Sequence, residues 1–510
     1  MEKLLGMLKT IPEYSMLLNA IAKDQTAAVT GVGQINRSHL IAGMYTHSNR
    51  PMVIICQDDM AAKRLQEELK AFLGLVVPVL PSRELTLYDS SVVSRGWEQK
   101  RLRQLYDLQC GLTPLQIFSW ESLSQRTMPP QVLLGAAFRL EVGLEYPLEP
   151  LLERLSAAGY SRCGMVEGPG QFAVRGGILD IYSPAADLPI RAEFFGDELD
   201  TMGYFDPTTQ RRTENVDTIT ILPVGETQPK LHPEGISGLC ADISKLIARQ
   251  RRRKIPNEDL IKTLTRDLEK YENGVSNPAS DRYMALIYKE FSCAMDYMPS
   301  DALVVLCDQS SLQRSAHTRT EEMGLQLDSL LQAGLVAGEL CDYVCQWEDV
   351  AARWEEKTLV YLDTFGGSAY PEGCQPKHLL PITAKQLPGY GGNLDTAASD
   401  LAHYQKMEFS SLVLCGSRHR AELLQEMLRD RNLSSFLCIP LTSMPKPGQI
   451  LLAEGTLPYG MEYPAAKLAV LTEGQLLSHR EVKRKAKKSA TNRQKLNSFT
   501  DLSPGDLVVH

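Results

Sequence analysis

The 510-residue chain has no apolar run approaching the roughly 18–20 residues that a membrane-crossing helix requires, so no helical span is expected. Its opening stretch, MEKLLGMLKTIPEYS, carries neither a long apolar segment nor a small-residue cleavage site, so no secretory leader is expected. Cysteine pairing is missing too. The 11 cysteines are odd in number, scattered, and mostly set inside apolar runs such as 53–56 and 304–307. That usage suits reduced, buried thiols in a cytoplasm rather than a disulfide framework. Cys341 and Cys345 are the one close pair, and without neighbouring histidines they read as a coincidence on one helix face and not as a metal site. None of the 9 histidines, His39 and His47 included, stands in a spacing that suggests metal ligation or a nucleophile triad. Positive charge is in deficit: 54 Lys and Arg against 62 Asp and Glu give a formal net charge of -8. The chain as a whole is therefore not a polyanion binder, and any nucleic-acid contact must be local.

What is present is globular material. Hydrophobic residues make up 43% and charged residues 23%, enough to build large cores. The length exceeds the roughly 250–300 residues at which one core stops growing, so several domains are expected. From residue 27 a short apolar strand, a glycine-containing loop, a helix to about residue 46 and a strand over 51–56 open an α/β domain. Ala61, Leu65, Leu69 and Phe72 repeat at helical spacing, and 75–80 and 115–118 read as further strands of a parallel sheet. Pro129-Pro130 marks its end. Over 131–222 the pattern turns to period-two strands, at 171–183, 190–195 and 198–205, punctuated by Gly, Pro and Asp. Helical periodicity returns over 238–296, and 302–307 is a buried strand that resumes the first sheet.

The predicted organisation is a multidomain α/β chain with a discontinuous first domain. Residues 1–130 hold a parallel sheet, 131–222 an inserted β-rich (α+β) domain, and 223–345 the part that completes the first sheet. A second α/β unit follows over 346–455, with strands at 358–362 and 412–415 and a helix at 420–429. A basic linker over 456–500, with Arg480, Lys483, Arg484, Lys485, Lys487 and Lys488, leads to a strand within 501–510 after Pro504-Gly505.

The first strand-loop-helix is where a phosphate-binding loop of pattern G-x-x-x-x-G-K-[ST] would sit. Counted from Gly31 the text is Gly31-Val-Gly-Gln-Ile-Asn36-Arg37-Ser38, with Asn for the second Gly and Arg for Lys. A side chain at Asn36 obstructs backbone approach to phosphate, and a planar guanidinium does not reproduce the compact ammonium that reaches the β and γ phosphates. A buried strand ending in Asp-Glu would hold Mg²⁺ and orient water. Here Val304-Val-Leu-Cys-Asp308-Gln309 ends in Asp-Gln, and an amide cannot act as a base. An arginine-finger run of the type Q-x-x-G-R-x-x-R is also missing. The expectation is a degenerate nucleotide site, P-loop helicase-like in arrangement, with no catalytic residue, no cofactor and no metal. Reading Gly31 and Asp308 as an ordinary turn and strand end leads to the same expectation.

The most specific text is Gly170-Gln-Phe-Ala-Val-Arg175-Gly-Gly-Ile-Leu-Asp-Ile-Tyr182, followed by Pro189-Ile-Arg191-Ala-Glu-Phe-Phe195-Gly-Asp-Glu-Leu and Phe205-Asp-Pro-Thr-Thr-Gln210. It resembles the UvrA-binding domain shared by UvrB and the bacterial transcription-repair coupling factors (Mfd). The resemblance extends to the loop at Gly31, Leu87-Tyr88-Asp89, Met295-Asp-Tyr-Met-Pro299 before the Asp308 strand, and the closing Pro504-Gly-Asp-Leu-Val-Val-His510. UvrB keeps an intact phosphate loop and a long aromatic hairpin, for which the text between Tyr88 and Arg103 has no room, so the Mfd family is the better match. The resemblance implies a UvrB-like scaffold that recruits UvrA without catalysis. It implies RNA polymerase and DNA as partners of domains beyond this chain, with residues 501–510 similar to the first strand of the polymerase-interacting domain. It also implies an ATP-dependent DNA translocase in the complete family member, whose C-terminal domain can cover the UvrA-binding surface.

Alternation over 190–195 puts Ile190, Ala192 and Phe194 on one face and Arg191, Glu193 and Phe195 on the other, with Arg175 on the side opposite Val174 and Phe172. Aromatic and Arg side chains are the groups most enriched in interface hot spots. From residue types alone a blander arrangement stays open, with Phe195 in the core and the arginines solvated or paired with Glu193 and Asp197. The resemblance implies that Arg175, Arg191 and Phe195 contact UvrA. Gly176 and Gly177 read as a bend or bulge. Two rival functions stand beside recruitment. One is a UvrB-type DNA-dependent ATPase or helicase. The other is a DNA-binding module using Arg249, Arg251, Arg252, Arg253 and Lys254, a run that a solvated helix face also explains.

Overall fold

A computed structural model describes residues 1–89, 96–367 and 369–477. The first sheet opens with β1 (Ala27–Thr30), β2 (Met52–Cys56) and β3 (Leu115–Ser119). Eight strands then build the insertion: β4 (Phe138–Glu141), β5 (Ser161–Arg162), β6 (Gln171–Arg175), β7 (Ile178–Ile181), β8 (Ile190–Phe195), β9 (Glu198–Phe205), β10 (Arg212–Asn215) and β11 (Thr218–Ile221). The chain returns through β12 (Leu303–Cys307), β13 (Thr358–Asp363) and β14 (His378–Pro381) to complete a six-stranded sheet of order β14-β1-β13-β12-β2-β3, parallel throughout. Its strands are apolar on both faces, as a sheet covered on both sides requires. Alternate residues feed two different cores: Val53, Ile55, Val304 and Leu306 one, Ile54, Val305, Val360 and Leu362 the other.

A second α/β unit is built on β15 (Lys385–Gln386), β16 (Ser410–Cys415), β17 (Ser435–Leu437), β18 (Ile450–Glu454), β19 (Met461–Tyr463) and β20 (Leu468–Thr472), in the order β15-β19-β20-β16-β18-β17. Its run from β20 to β17 is parallel and its β15-β19-β20 side antiparallel. The N-terminal residues Leu4, Leu8, Ile11 and Leu17 lie in the same core as Val29 of the first sheet and Leu412, Leu414 and Tyr463 of this one.

Three sequence expectations are corrected by this topology. The strand at 358–362 does not open a unit at residue 346. It lies inside the first sheet between β1 and β12, so the segment 223–345 supplies one strand and the sheet closes only at β14. A continuous apolar run marks a buried parallel strand without saying which sheet takes it. The linker expected from residue 456 is occupied, over its described part, by β19, β20 and the helix Glu473–Leu476. The basic cluster from Arg480 to Lys488 and the closing residues 501–510 lie outside the described residues. The run 75–80 forms no strand. Pro78 interrupts it, and the run meets the sheet edge only in an isolated bridge, where the Pro78 carbonyl accepts from Ile117 N–H and Leu80 N–H donates to the Ile117 carbonyl.

The insertion is a six-stranded sheet of order β10-β9-β8-β7-β6-β5, antiparallel from β10 to β6, with the β4-β11 pair and the helix Leu148–Ala157 covering one face. Phe172, Leu179, Ile181, Ile190, Ala192 and Met202 fill the core beneath them. The opposite face carries the Asp180, Arg175 and Arg191 side chains around a small buried cluster of Val166, Ala173 and Phe205.

Candidate functional site

The connection from β1 to the helix Gln34–Ser48 is only three residues long, Gly31 to Gly33. Asn36, Arg37 and Ser38 are therefore helical, which corrects the expectation that they belong to a loop. Gly31 has φ +84, and a Cβ there would stand 2.6 Å from the Ile382 carbonyl oxygen. Its glycine thus serves the close passage of the chain after β14. The cationic and hydroxyl groups that would face a phosphate here are engaged by groups of the chain itself. Arg37 donates from Nη2 to Asp308 Oδ2 at 3.2 Å and to Thr364 Oγ1 at 2.5 Å, while Thr364 donates to the same carboxylate oxygen at 3.0 Å. Asp308 Oδ1 accepts from Ser311 N–H, capping the following helix. Burial pushes the Asp308 carboxyl up, but the Thr364 hydroxyl, the Arg37 guanidinium and the Ser311 N–H outweigh it and hold it below the usual carboxylate range. On the other side, buried Glu68 accepts from Gln34 Nε2 and from the Ser38 hydroxyl, and burial raises its carboxyl against those bonds. Two carboxylates thus take the donors that a nucleotide would need.

The outward face of the insertion has the opposite character. Phe195, at the end of β8, is 83% exposed. Alternation along β8 continues through the β8-β9 register shift between Glu193 and Phe194, so Phe194 is half-buried against the core and Phe195 lies on the outward side. Arg191 makes a bidentate pair with Asp180 of neighbouring β7, at 2.7 Å from Nε and 2.9 Å from Nη2. It also donates to the backbone oxygen and Oε1 of Gln210, each at 3.2 Å, and its guanidinium lies 4.6 Å from the Phe205 ring centroid. The Asp180 hydrogen bond, outweighing desolvation, raises the Arg191 pKa. Arg175, half-exposed, approaches the same carboxylate at 3.6 Å. The arginines are thus partnered by Asp180, not by Glu193 or Asp197 as the alternative reading had it. Glu193 is instead met by Arg212 at 3.3 Å, and Arg212 crosses β9 over Gly203, where a Cβ would stand 2.4 Å from its Nε. The β6-β7 turn at Gly176 has φ +60, which favours glycine, and Gly177 packs against the Phe194 carbonyl.

This surface lies within the span 138–226, which matches the family described as the UvrB interaction domain. Over its whole length the chain is similar to transcription-repair-coupling factors: 25% identical over 520 residues to that of Bacillus subtilis, covering 100% of this chain and 43% of the relative. The similarity to the Staphylococcus haemolyticus protein is 26% over 503 residues, covering 97% of this chain and 42% of the relative. The chain thus spans less than half the length of the curated relatives it matches.

Of the residues singled out from sequence, Arg175, Arg191 and Phe195 share the outward face of the inserted β domain, and Arg37 and Asp308 meet each other in the first sheet. The basic run ends the helix Gly235–Arg251, where Arg249 and Arg253 both reach Glu339. Sequence reasoning missed Asp180, Glu68 and Thr364. Two of them carry a signal: Asp180 interrupts the apolar run Ile178-Leu179-Asp180-Ile181, and Glu68 stands on the apolar stripe of Leu65, Leu69 and Phe72. A charge in such a place demands a partner. Thr364 has no such signal.

Proposed function

We propose that this chain is a non-catalytic recruiting module whose UvrB interaction domain binds UvrA. Joined to the polymerase-binding and DNA-translocating parts that transcription-repair-coupling factors carry, it couples a stalled RNA polymerase to nucleotide excision repair in the cytoplasm. It uses no cofactor. The observation that supports the reading most is Phe195, a large aromatic side chain 83% exposed on the same outward face as Arg175 and Arg191, in a span that matches the UvrB interaction domain family. An exposed ring and guanidinium groups on one face combine apolar area with planar, charge-assisted donors, the composition of a binding hot spot. The relatives' name describes coupling of transcription to repair, which is the process this surface serves.

The test is titration of purified UvrA against the chain. Phe195→Ala, Arg175→Ala and Arg191→Ala are each expected to weaken binding by roughly 1–4 kcal/mol. Wild-type affinity in the triple variant would end the proposal. A UvrB-type ATPase is the rival, and it requires Arg37 to release Asp308 and face a phosphate.

A further inference from the structure

Asp180 is 2% exposed at the middle of β7, and its carboxylate faces the outward side of the sheet between two guanidinium groups on the flanking strands. We infer that Asp180 is the positioning residue of the partner surface: it fixes the directions of Arg175 and Arg191 and reduces the charge they present to that of a single cation. The inference rests on the reading of this domain as UvrA-binding. A buried carboxylate is tolerated only when charge and hydrogen bonds compensate it. Both Asp180 oxygens are engaged by Arg191, at 2.7 and 2.9 Å, and one also by Arg175 at 3.6 Å. Register explains the convergence. Ala173, Asp180, Arg191 and Gly203 form one row across β6 to β9, and Arg175 stands two residues along β6 on the same face.

The division of labour follows from the geometry. Arg191 is anchored by Asp180, Gln210 and the Phe205 ring, so its side chain is ordered before any partner arrives. Arg175 keeps only the longer contact and is half-exposed, so it can turn outward without leaving the carboxylate uncompensated. Pre-ordered side chains lose less rotamer freedom on association. With Glu193 neutralised by Arg212, two guanidinium groups and one carboxylate leave one net positive charge on the face that carries the exposed Phe195 ring. The complementary surface is a single carboxylate adjoining an apolar socket.

The decisive experiment compares UvrA binding by the whole chain with D180N in two backgrounds, wild type and R175A/R191A, with the thermal midpoint of each variant recorded. Asp180→Asn in the wild-type background is expected to weaken UvrA binding about tenfold, because two unneutralised guanidinium groups repel and lose their fixed directions. In the R175A/R191A background the same change should leave the residual affinity unaltered and raise the thermal midpoint, since it removes an unpaired buried charge. Asp180→Glu, which keeps the charge, should bind more tightly than D180N. If D180N alone does not fold, the R175A/R191A comparison still decides. Wild-type affinity in D180N, or an equal loss in both backgrounds, would overturn the positioning role. Were Phe195→Ala also to bind as wild type, the UvrA reading itself would fall with it.

Discussion

An arginine can hold a phosphate only while its guanidinium is free, and Arg37 is committed to Asp308 and Thr364. Ser38 and Gln34 are committed to Glu68 in the same way. A nucleotide entering here would have to displace two carboxylates from their donors and would find three connecting residues where a longer loop of backbone N–H groups is needed. Calorimetric titration with Mg²⁺-ATP is therefore expected to give no binding below about 1 mM. Micromolar affinity would restore the ATPase reading. The departures at Asn36, Arg37 and Gln309 were legible in the text because a phosphate loop is a local pattern. Of the groups that engage Ser38 and Arg37, Glu68 carried a signal as a charge on an apolar stripe, whereas Thr364 carried none, since it arrives from a strand end more than 300 residues away.

At the scale of elements, the question is how a β domain inserted into an α/β sheet is held. Thr127 precedes the insertion and Glu226-Thr227 follow it, and both passages lead to one buried charge cluster. Glu226 pairs with Arg101 at 3.0 Å with both side chains fully buried, and Thr127 donates to the same carboxylate. Next to it Arg83 meets Asp281, which also accepts from Thr227. Removing one partner of such a pair leaves the other charge buried and uncompensated. Glu226→Gln should therefore destabilise the chain by roughly 3–5 kcal/mol, read as a lowered urea midpoint. A loss below about 1 kcal/mol would show that water or another acid compensates Arg101. The strands of the insertion and the outward side of Phe195 followed from period-two alternation, but the register shift between Glu193 and Phe194 did not, because it depends on how β9 pairs.

At the scale of the whole molecule, the two α/β units meet at His39. It is fully buried, its ring stacks at 5.2 Å on Phe72, its Nδ1 accepts from the Tyr463 hydroxyl at 3.0 Å and its Nε2–H donates to the Leu4 carbonyl at 3.2 Å. A carbonyl can only accept, so Nε2 carries a proton, and burial keeps the ring neutral. Burial, against the Leu4 bond and aided by His47, lowers its pKa from 6.5 to about 4. The unfolded chain therefore binds a proton that the folded chain refuses between pH 6.5 and about 4. His39 costs no stability above that window. As pH falls through it, on the order of 3 kcal/mol is lost. Thermal midpoints measured from pH 7 down to 4.5 should fall, and His39→Gln should flatten that slope. An unchanged slope in the variant would place the acid sensitivity elsewhere.

The chain's own text was sufficient for what is encoded locally: apolar runs for parallel strands, alternation for the inserted sheet, departures from the phosphate-loop pattern, and the 170–205 stretch inside the span that matches the UvrB interaction domain family. Tertiary structure alone decided which sheet each buried strand joined, as β13 and β20 show, and which carboxylate each arginine met. The physical reason is the same in both cases. A strand's hydrophobicity specifies that it be covered, and a charge's burial specifies that it be paired, but neither names its partner until the chain has closed on itself.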